Sequence, residues 1–329
     1  MKAKQLTNVA LSLSCCLAAL TACVGEETEV FPPEKQPVGI SATITGEVTT
    51  KAELDYKPAS DTNIYMYYKN GGNTSIPGEK GIYTYSGGKW NAADEVSHAG
   101  DCIFWDDLVA VSGKYPFFAV SPKDVSTLTG VAVDQSDATN FANADLLMAY
   151  SEVTTRQAKV PLIFKHMLAK LTVKVNTGAV STTISKTSVS MENAIKDYTV
   201  TYTGTGTLSG DSPAKITTGS ERNATFTPHT ESTESNGKVY VYSVILPAQD
   251  ISSAAAKVKT TITIGSPGST EDLVYTYAPD PAPLTVTKLA NGKNTILTLT
   301  VNGTVLELGD VKVTNWNEVS ADGNISLDK

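Results

Sequence analysis

Arginine and histidine are nearly missing from this chain. Its 329 residues include only two arginines, Arg156 and Arg222, and three histidines, His98, His166 and His229. The formal net charge is −8. An acidic chain so poor in arginine argues against nucleic acid as a partner and against electrostatic binding to anionic membranes. Cysteine is scarce as well. The four are Cys15, Cys16, Cys23 and Cys102. Three lie at the extreme N-terminus, so Cys102 has no intrachain disulfide partner and stability must come from apolar cores. Beyond the first residues no apolar run approaches the ~20 residues a membrane-spanning helix needs. Catalytic signatures are missing: there is no His-Glu-x-x-His, Gly-x-Ser-x-Gly, P-loop or dinucleotide fingerprint. The histidines show no metal-ligand spacing with one another or with cysteine. The expectation is therefore no catalytic residue, no metal, no cofactor and no enzyme. Two weaker patterns have plainer readings. Thr203–Gly210 is glycine-rich, which suits a polar hairpin better than a phosphate loop. Asp106 and Asp107 are paired acids, but adjacent residues of a strand point to opposite faces, so a solvated edge or turn explains them better than a glycosidase pair.

The N-terminus is organised for export. Lys2 and Lys4 precede an apolar stretch from Val9 to Leu20 that is too short to span a bilayer. Residues 1–22 read as a signal peptide. Leu20-Thr21-Ala22-Cys23 resembles the bacterial lipobox, where cleavage before the cysteine leaves it as a lipidated first residue. That resemblance implies a lipid on Cys23 anchored in the outer membrane, each buried methylene contributing about 0.8 kcal/mol. Glu26 and Glu27 are similar to the acidic tract that sends Bacteroidetes lipoproteins to the cell surface. Loss of residues 1–22 leaves 24 basic against 34 acidic side chains, a net charge of −10. Residues 23–37, with Pro32, Pro33 and Pro37, read as an extended tether.

The remainder reads as all-β. Apolar residues recur with period two in 40–48, where Ile40, Ala42, Ile44 and Val48 share one face, and again in 64–68, 171–175, 239–242, 261–264, 297–301 and 311–313. Turn signals separate these rows: Asn70-Gly71, Gly87-Gly88, Asn236-Gly237, Asn291-Gly292 and Asn302-Gly303. Many short strands between tight turns predict β-sandwiches. Residues 124–140 suit either a short helix or a long loop. Length and a change in composition near 155–165 predict two domains, 38–160 and 161–329.

Two stretches carry a family signal. Asn143-Ala-Asp-Leu-Leu-Met-Ala149, followed by Val160-Pro-Leu-Ile-Phe-Lys-His-Met-Leu-Ala-Lys-Leu-Thr-Val173, resembles a signature of the Bacteroidales fimbrillin family, the pilins of type V pili. Gly113-Lys-Tyr-Pro-Phe-Phe-Ala-Val-Ser-Pro122 is similar to a second segment of that family, and Asp101–Trp105 looks like part of the same region. The resemblance implies two transthyretin-like Greek-key β-sandwich domains in tandem, exported as a lipoprotein and placed on the outer membrane or in a fimbrium. It implies a protease cut just after the first strand and assembly with other pilin subunits, a strand of one filling the groove opened in the next. The family's Thr-Arg-Ala cleavage motif is matched here by Thr50-Lys51-Ala52, which suits a lysine-cutting or broad trypsin-like protease acting between Lys51 and Ala52. The donor strand is expected in Val305, Leu306 and Leu308 with Val311 and Val313. Trp316 resembles a terminal tryptophan common in the family. His166, lone in an apolar strand, is expected to be a hydrogen-bonded core residue without chemistry.

Two rival readings compete with a pilin or pilus-associated adhesin. The first is a surface lipoprotein that binds glycan or protein without polymerising, with Tyr65, Tyr67, Tyr83, Tyr85 and Trp90 as a sugar platform. The second is a surface hydrolase of unrecognised type. A receptor on a host or bacterial surface is a further expected partner of the adhesin reading.

Overall fold

The computed structural model describes residues 35–45, 53–68, 79–92, 101–178, 186–202, 214–234, 238–252, 258–265, 273–277, 286–302 and 305–316. The chain is nearly all β, as its period-two rows require. The first eight strands are β1 (Gly39–Thr45), β2 (Glu53–Asp55), β3 (Asn63–Tyr68), β4 (Lys80–Ser86), β5 (Lys89–Ala92), β6 (Tyr115–Ser121), β7 (Leu147–Val153) and β8 (Lys159–His166). They form one eight-stranded sheet in the order β2-β1-β8-β7-β6-β3-β4-β5. Gly87 and Gly88 turn the β4–β5 hairpin with φ of 61° and 79°, the positive values that a two-residue connection needs. One face of the sheet holds Ile64, Met66, Phe117, Ala119, Leu147 and Ala149, all buried. Trp105 and Tyr56 close over this core from the connecting segments, and Trp90 of β5 packs on it.

Thirteen further strands follow: β9 (Ala169–Asn176), β10 (Lys186–Ala194), β11 (Tyr198–Tyr202), β12 (Ala214–Thr218), β13 (Ala224–Phe226), β14 (His229–Glu234), β15 (Val239–Leu246), β16 (Gln249–Asp250), β17 (Lys259–Gly265), β18 (Leu273–Tyr277), β19 (Lys288–Leu289), β20 (Lys293–Asn302) and β21 (Val305–Asn315). A five-stranded sheet, β14-β15-β9-β20-β21, faces a four-stranded one, β13-β10-β17-β18. Leu171, Val173, Val244 and Leu299 from the first meet Val189, Met191, Ile262 and Phe226 from the second, in the manner of a sandwich. This core continues without a break to Tyr67, Phe118, Val120 and Met148 on the other face of the eight-stranded sheet. The division expected at 160/161 falls inside β8, and residues Lys35–Lys329 cluster as one unit.

The segment 124–145 contains both structures that its sequence allowed. A 3-10 turn at Val125–Thr127 is capped by the Asp124 side chain, which accepts from Ser126 N, and helix α1 (Ala138–Ala144) is capped by Asp137. Between them the fully buried Gln135 ties the segment to β15. Its amide donates to Ile245 O at 2.8 Å and accepts from Ile245 N at 2.8 Å.

Candidate strand-exchange groove

Strand β1 lies between a three-residue edge strand and the strand that depends on it most. It pairs antiparallel with β2 through Thr43–Thr45, and parallel with β8 from Gly39↔Lys159 to Ile44↔Phe164. Strand β8 pairs with its other neighbour, β7, at Leu147↔His166 and Met148↔Lys165. Over Lys159–Phe164, then, β1 is the ladder partner of β8 among the described residues. The sequence explains why β1 sits here. Val38, Ile40 and Ala42 are buried and Ile44 is half-buried, while Ser41 between them is exposed. The apolar row lies in register with Val160, Leu162 and Phe164, none of which is exposed at all. Side bonds hold the strand's entry. Val38 N donates to Ile103 O at 2.8 Å, Trp105 N donates to Gln36 O at 2.9 Å, and the Tyr83 hydroxyl donates to Val38 O at 2.6 Å. Tyr56 N donates to Ala42 O at 2.9 Å, and the Tyr56 ring packs on Phe164 and Trp90. Burial raises the Tyr56 phenol, which stays neutral and shares a 3.0 Å hydrogen bond with Ser121.

The ends of β1 and β2 meet at Thr45↔Glu53. Lys51 and Ala52 fall between those ends, outside the described residues, as does Cys23.

The expected donor residues belong to β21, which is the edge of the five-stranded sheet. Val305 opens the strand opposite Asn302, and ten Cα pairs run on to Lys293↔Asn315. Leu306, Leu308 and Val311 are half-buried on the main core, and Val313 is 45% exposed. The register jumps at Gly309, because Leu308 faces Leu299 while Asp310 faces Thr298. This bulge changes the side-chain parity, so Leu306 and Leu308 share a face with Val311 and Val313 only because one residue is unpaired.

Just beyond β21, the Trp316 ring lies flat on His166, with centroids 4.3 Å apart and planes 7° apart. His166 Nδ1 is 2.8 Å from Asp145 Oδ1, and its side chain is only 6% exposed. The backbone of Trp316 donates to Gly292 O at 3.2 Å. His166 is thus a hydrogen-bonded, half-buried residue whose side chain is largely covered. That Asp145, His166 and Trp316 meet was not legible in the sequence, since no periodicity links positions 150 residues apart.

Other candidates resolve into structure. Asp106 and Asp107 sit in a 3-10 turn, Trp105–Asp107, rather than on a strand edge. They separate towards different cations, Arg156 at 2.7 Å and Lys35 at 2.7 Å, so they do not form an acid pair. The hydrogen bond from Arg156 is the largest influence on Asp106 and lowers its pKa. His229 stacks on Phe141 at 4.8 Å. The proposed aromatic platform does not exist as one surface. Tyr67 and Tyr83 are buried at 1% and 2% exposure on opposite faces of the first sheet, and Tyr65, Tyr85 and Trp90 are half-buried. Register is the reason: Tyr83 lies opposite Ile64, so the β4 tyrosines share the face of Ile64 and not that of Tyr65 and Tyr67. Cys102 is buried. No helix among the described residues is long and apolar enough to cross a membrane, and no group of three metal-ligating side chains occurs among them.

Comparison with known proteins accounts for most of the chain. No curated protein matches it. Two solved structures share its fold. A candidate cell adhesion protein from Bacteroides uniformis is 20% identical, with a TM-score of 0.55 over 85% of this chain and 99% of that one. Another, from Bacteroides ovatus, is 16% identical, with a TM-score of 0.58 over 86% of this chain and 98% of that one. A family model described as fimbrillin-like matches residues 41–316, from the middle of β1 to the tryptophan on His166, and the chain therefore belongs to the fimbrillin-like family.

Proposed function

We propose that this protein is a pilus subunit or pilus-associated adhesin that is exported as a lipoprotein through Cys23 and polymerises after one proteolytic cut. Membership of the fimbrillin-like family supports the subunit role and a surface location in a fimbrium. One observation carries the mechanism: β1 is the ladder partner of six residues of β8, and it is followed directly by the segment containing Lys51. A cut between Lys51 and Ala52 would free β1 together with the tether. Strand β8 would lose its ladder over Lys159–Phe164, and Val160, Leu162 and Phe164 would lose their cover. A strand from another subunit restores both, because an added strand supplies main-chain hydrogen bonds and alternating side chains together. In this reading the chain is two sandwiches in tandem, with Met167–Leu168, between β8 and β9, as the junction. Lipid on Cys23 holds the uncut subunit at the outer membrane, and the cut releases it into the fibre.

The test is intact mass and N-terminal sequencing of the protein taken from its native cell surface, with sheared fibres analysed in parallel. A lipid-free form beginning at Ala52 within fibres is the expected result. A form that begins at acylated Cys23 and is absent from fibres would refute strand exchange and favour a non-polymerising surface lipoprotein that binds glycan or protein.

A further inference from the structure

We propose that the exposed loop Leu108–Gly113 rests on the lipid surface that holds the acylated Cys23, so that the uncut subunit stands on the membrane by the end at which Lys35 enters the fold. This rests on the lipoprotein reading above, which supplies the anchor; the loop supplies the orientation. The loop runs Leu108-Val109-Ala110-Val111-Ser112-Gly113, between the Trp105–Asp107 turn and β6. Val109 is 44% exposed and Ala110 is exposed with it, while Leu108 and Val111 are half-buried. Four apolar residues in succession on a surface are a candidate contact. The backbone holds them outward. Val111 N donates to Lys114 O at 2.7 Å, and Lys114 N donates to Val111 O at 3.0 Å. Ser112 and Gly113 turn between them with φ of 51° and 78°, both positive, as a two-residue connection needs. Leu108 roots the other end of the loop on the core that contains Phe117.

Two observations select a lipid surface as the occupant. The first is where the chain enters the fold. Lys35 is fixed beside the loop: its ammonium is 2.7 Å from Asp107 and lies over the Phe104 ring. Trp105 N donates to Gln36 O at 2.9 Å, and Pro37 bridges to Phe104. Twelve residues lead from Cys23 to Lys35, and an extended chain spans at most about 3.6 Å per residue, so a lipid on Cys23 lies within about 40 Å of Lys35. A tether of that reach makes a small apolar contact an intramolecular event, which raises its effective concentration. The second observation is charge. The mature chain has 24 basic against 34 acidic side chains, which an anionic lipid surface repels. The charges flanking the loop are instead paired: Asp106 with Arg156, Asp107 with Lys35, and Lys114 with Glu152. These six sum to zero and include one of the chain's two arginines. A contact of this size does not anchor a protein, but it orients one already held. Strand β1 runs about 20 Å from Gly39 to Thr45, so its connection to β2, which contains Lys51, begins that far along the strand from this end. The orientation leaves that connection clear of the lipid and open to a protease.

The test uses the mature chain with a hexahistidine sequence in place of the lipidated Cys23, held on vesicles of phosphatidylethanolamine and phosphatidylglycerol that contain a nickel-chelating lipid. An environment-sensitive fluorophore is attached at Val109→Cys or Ala110→Cys, and at Val133→Cys or Val274→Cys, two exposed apolar positions elsewhere on the protein. The unsubstituted chain, treated alike, corrects for Cys102. A lipid-borne nitroxide is expected to quench positions 109 and 110 about threefold more strongly than 133 and 274, since the loop sits at the headgroup boundary. Val109→Asp is expected to reduce quenching at position 110 to the level of 133 and 274, with vesicle retention and the unfolding midpoint unchanged. Equal quenching at all four positions, or quenching at 110 that survives Val109→Asp, would overturn the assignment. A spectral change at 109 that appears without vesicles and grows with protein concentration would assign the loop to a second copy of the chain, and would overturn it too. Because the tether is artificial, none of these failures touches the lipoprotein reading. A native chain without an acyl group on Cys23, seen in the intact-mass measurement above, would remove both.

Discussion

Removal of β1 is the perturbation that tests the reasoning most directly. A chain beginning at Ala52 lacks the fully buried Val38, the almost fully buried Ile40, the buried Ala42 and the half-buried Ile44. Burial of a Val or Ile side chain contributes about 1.5–3 kcal/mol, and an Ala methyl about 0.8 kcal/mol, so the loss is on the order of 5–8 kcal/mol. The parallel ladder to β8 and the antiparallel ladder to β2 go with it. A domain's net stability is about 5–15 kcal/mol, so the shortened chain should sit at the margin of folding. At about 2 °C per kcal/mol for a chain of this size, the thermal midpoint should fall by on the order of 10 °C. Differential scanning fluorimetry of the full and shortened chains, with and without an excess of a peptide of residues 36–46, reads this out. The peptide should restore most of the shift, and its Ile40→Asp version should not. An unchanged midpoint in the shortened chain would mean that β1 is dispensable and that its departure opens no groove worth refilling.

Four further outcomes follow from the same structure. Gln135→Leu keeps the volume but leaves both backbone groups of Ile245 unpaired, and should cost about 2–4 kcal/mol in urea unfolding. Burial acts to raise the Asp124 carboxyl, but hydrogen bonds from Lys80, Ser126 and Tyr67 outweigh it and hold the pKa at about 2. A depressed folded pKa stabilises above the unfolded value near 4 and loses that contribution as pH falls towards 2. Asp124→Asn should therefore cost about 1–2 kcal/mol at pH 7 after screening of the part-exposed Lys80, with the difference closing between pH 4 and pH 2. Trp316→Ala removes the stack on His166 and should lower stability by about 1 kcal/mol, measured by chemical denaturation, with little change in far-UV circular dichroism. Cys102 should resist a thiol reagent in the native protein and react fully in denaturant, since it is buried.

Fold class was legible because a sheet with one buried face imposes period two on its residues. Rows at Ile64–Tyr68, Leu171–Val175 and Leu297–Val301 each became a strand, and the Gly87-Gly88 turn became a hairpin with positive φ. The aromatic platform failed for the same reason it looked attractive. Period two places Tyr65 and Tyr67 on one face of β3, but it does not say that this face meets the main core. Asp106 and Asp107 lie in a 3-10 turn with separate ion partners, an arrangement that strand alternation does not foretell.

By itself, the sequence determined which residues alternate, where the chain turns, that no disulfide or clustered charge holds it together, and that Leu-Thr-Ala-Cys and the histidine segment resemble an exported fimbrillin. These are local properties, set by neighbours within a few residues. Only the tertiary structure decided that β1 is the partner of six residues of β8, more than a hundred positions away, and that β21 pairs with β20 through a bulge. The contact of Asp145, His166 and Trp316 in one place was its decision too. Strand order and register are chosen by which apolar faces close a common core, and that choice depends on the whole chain at once.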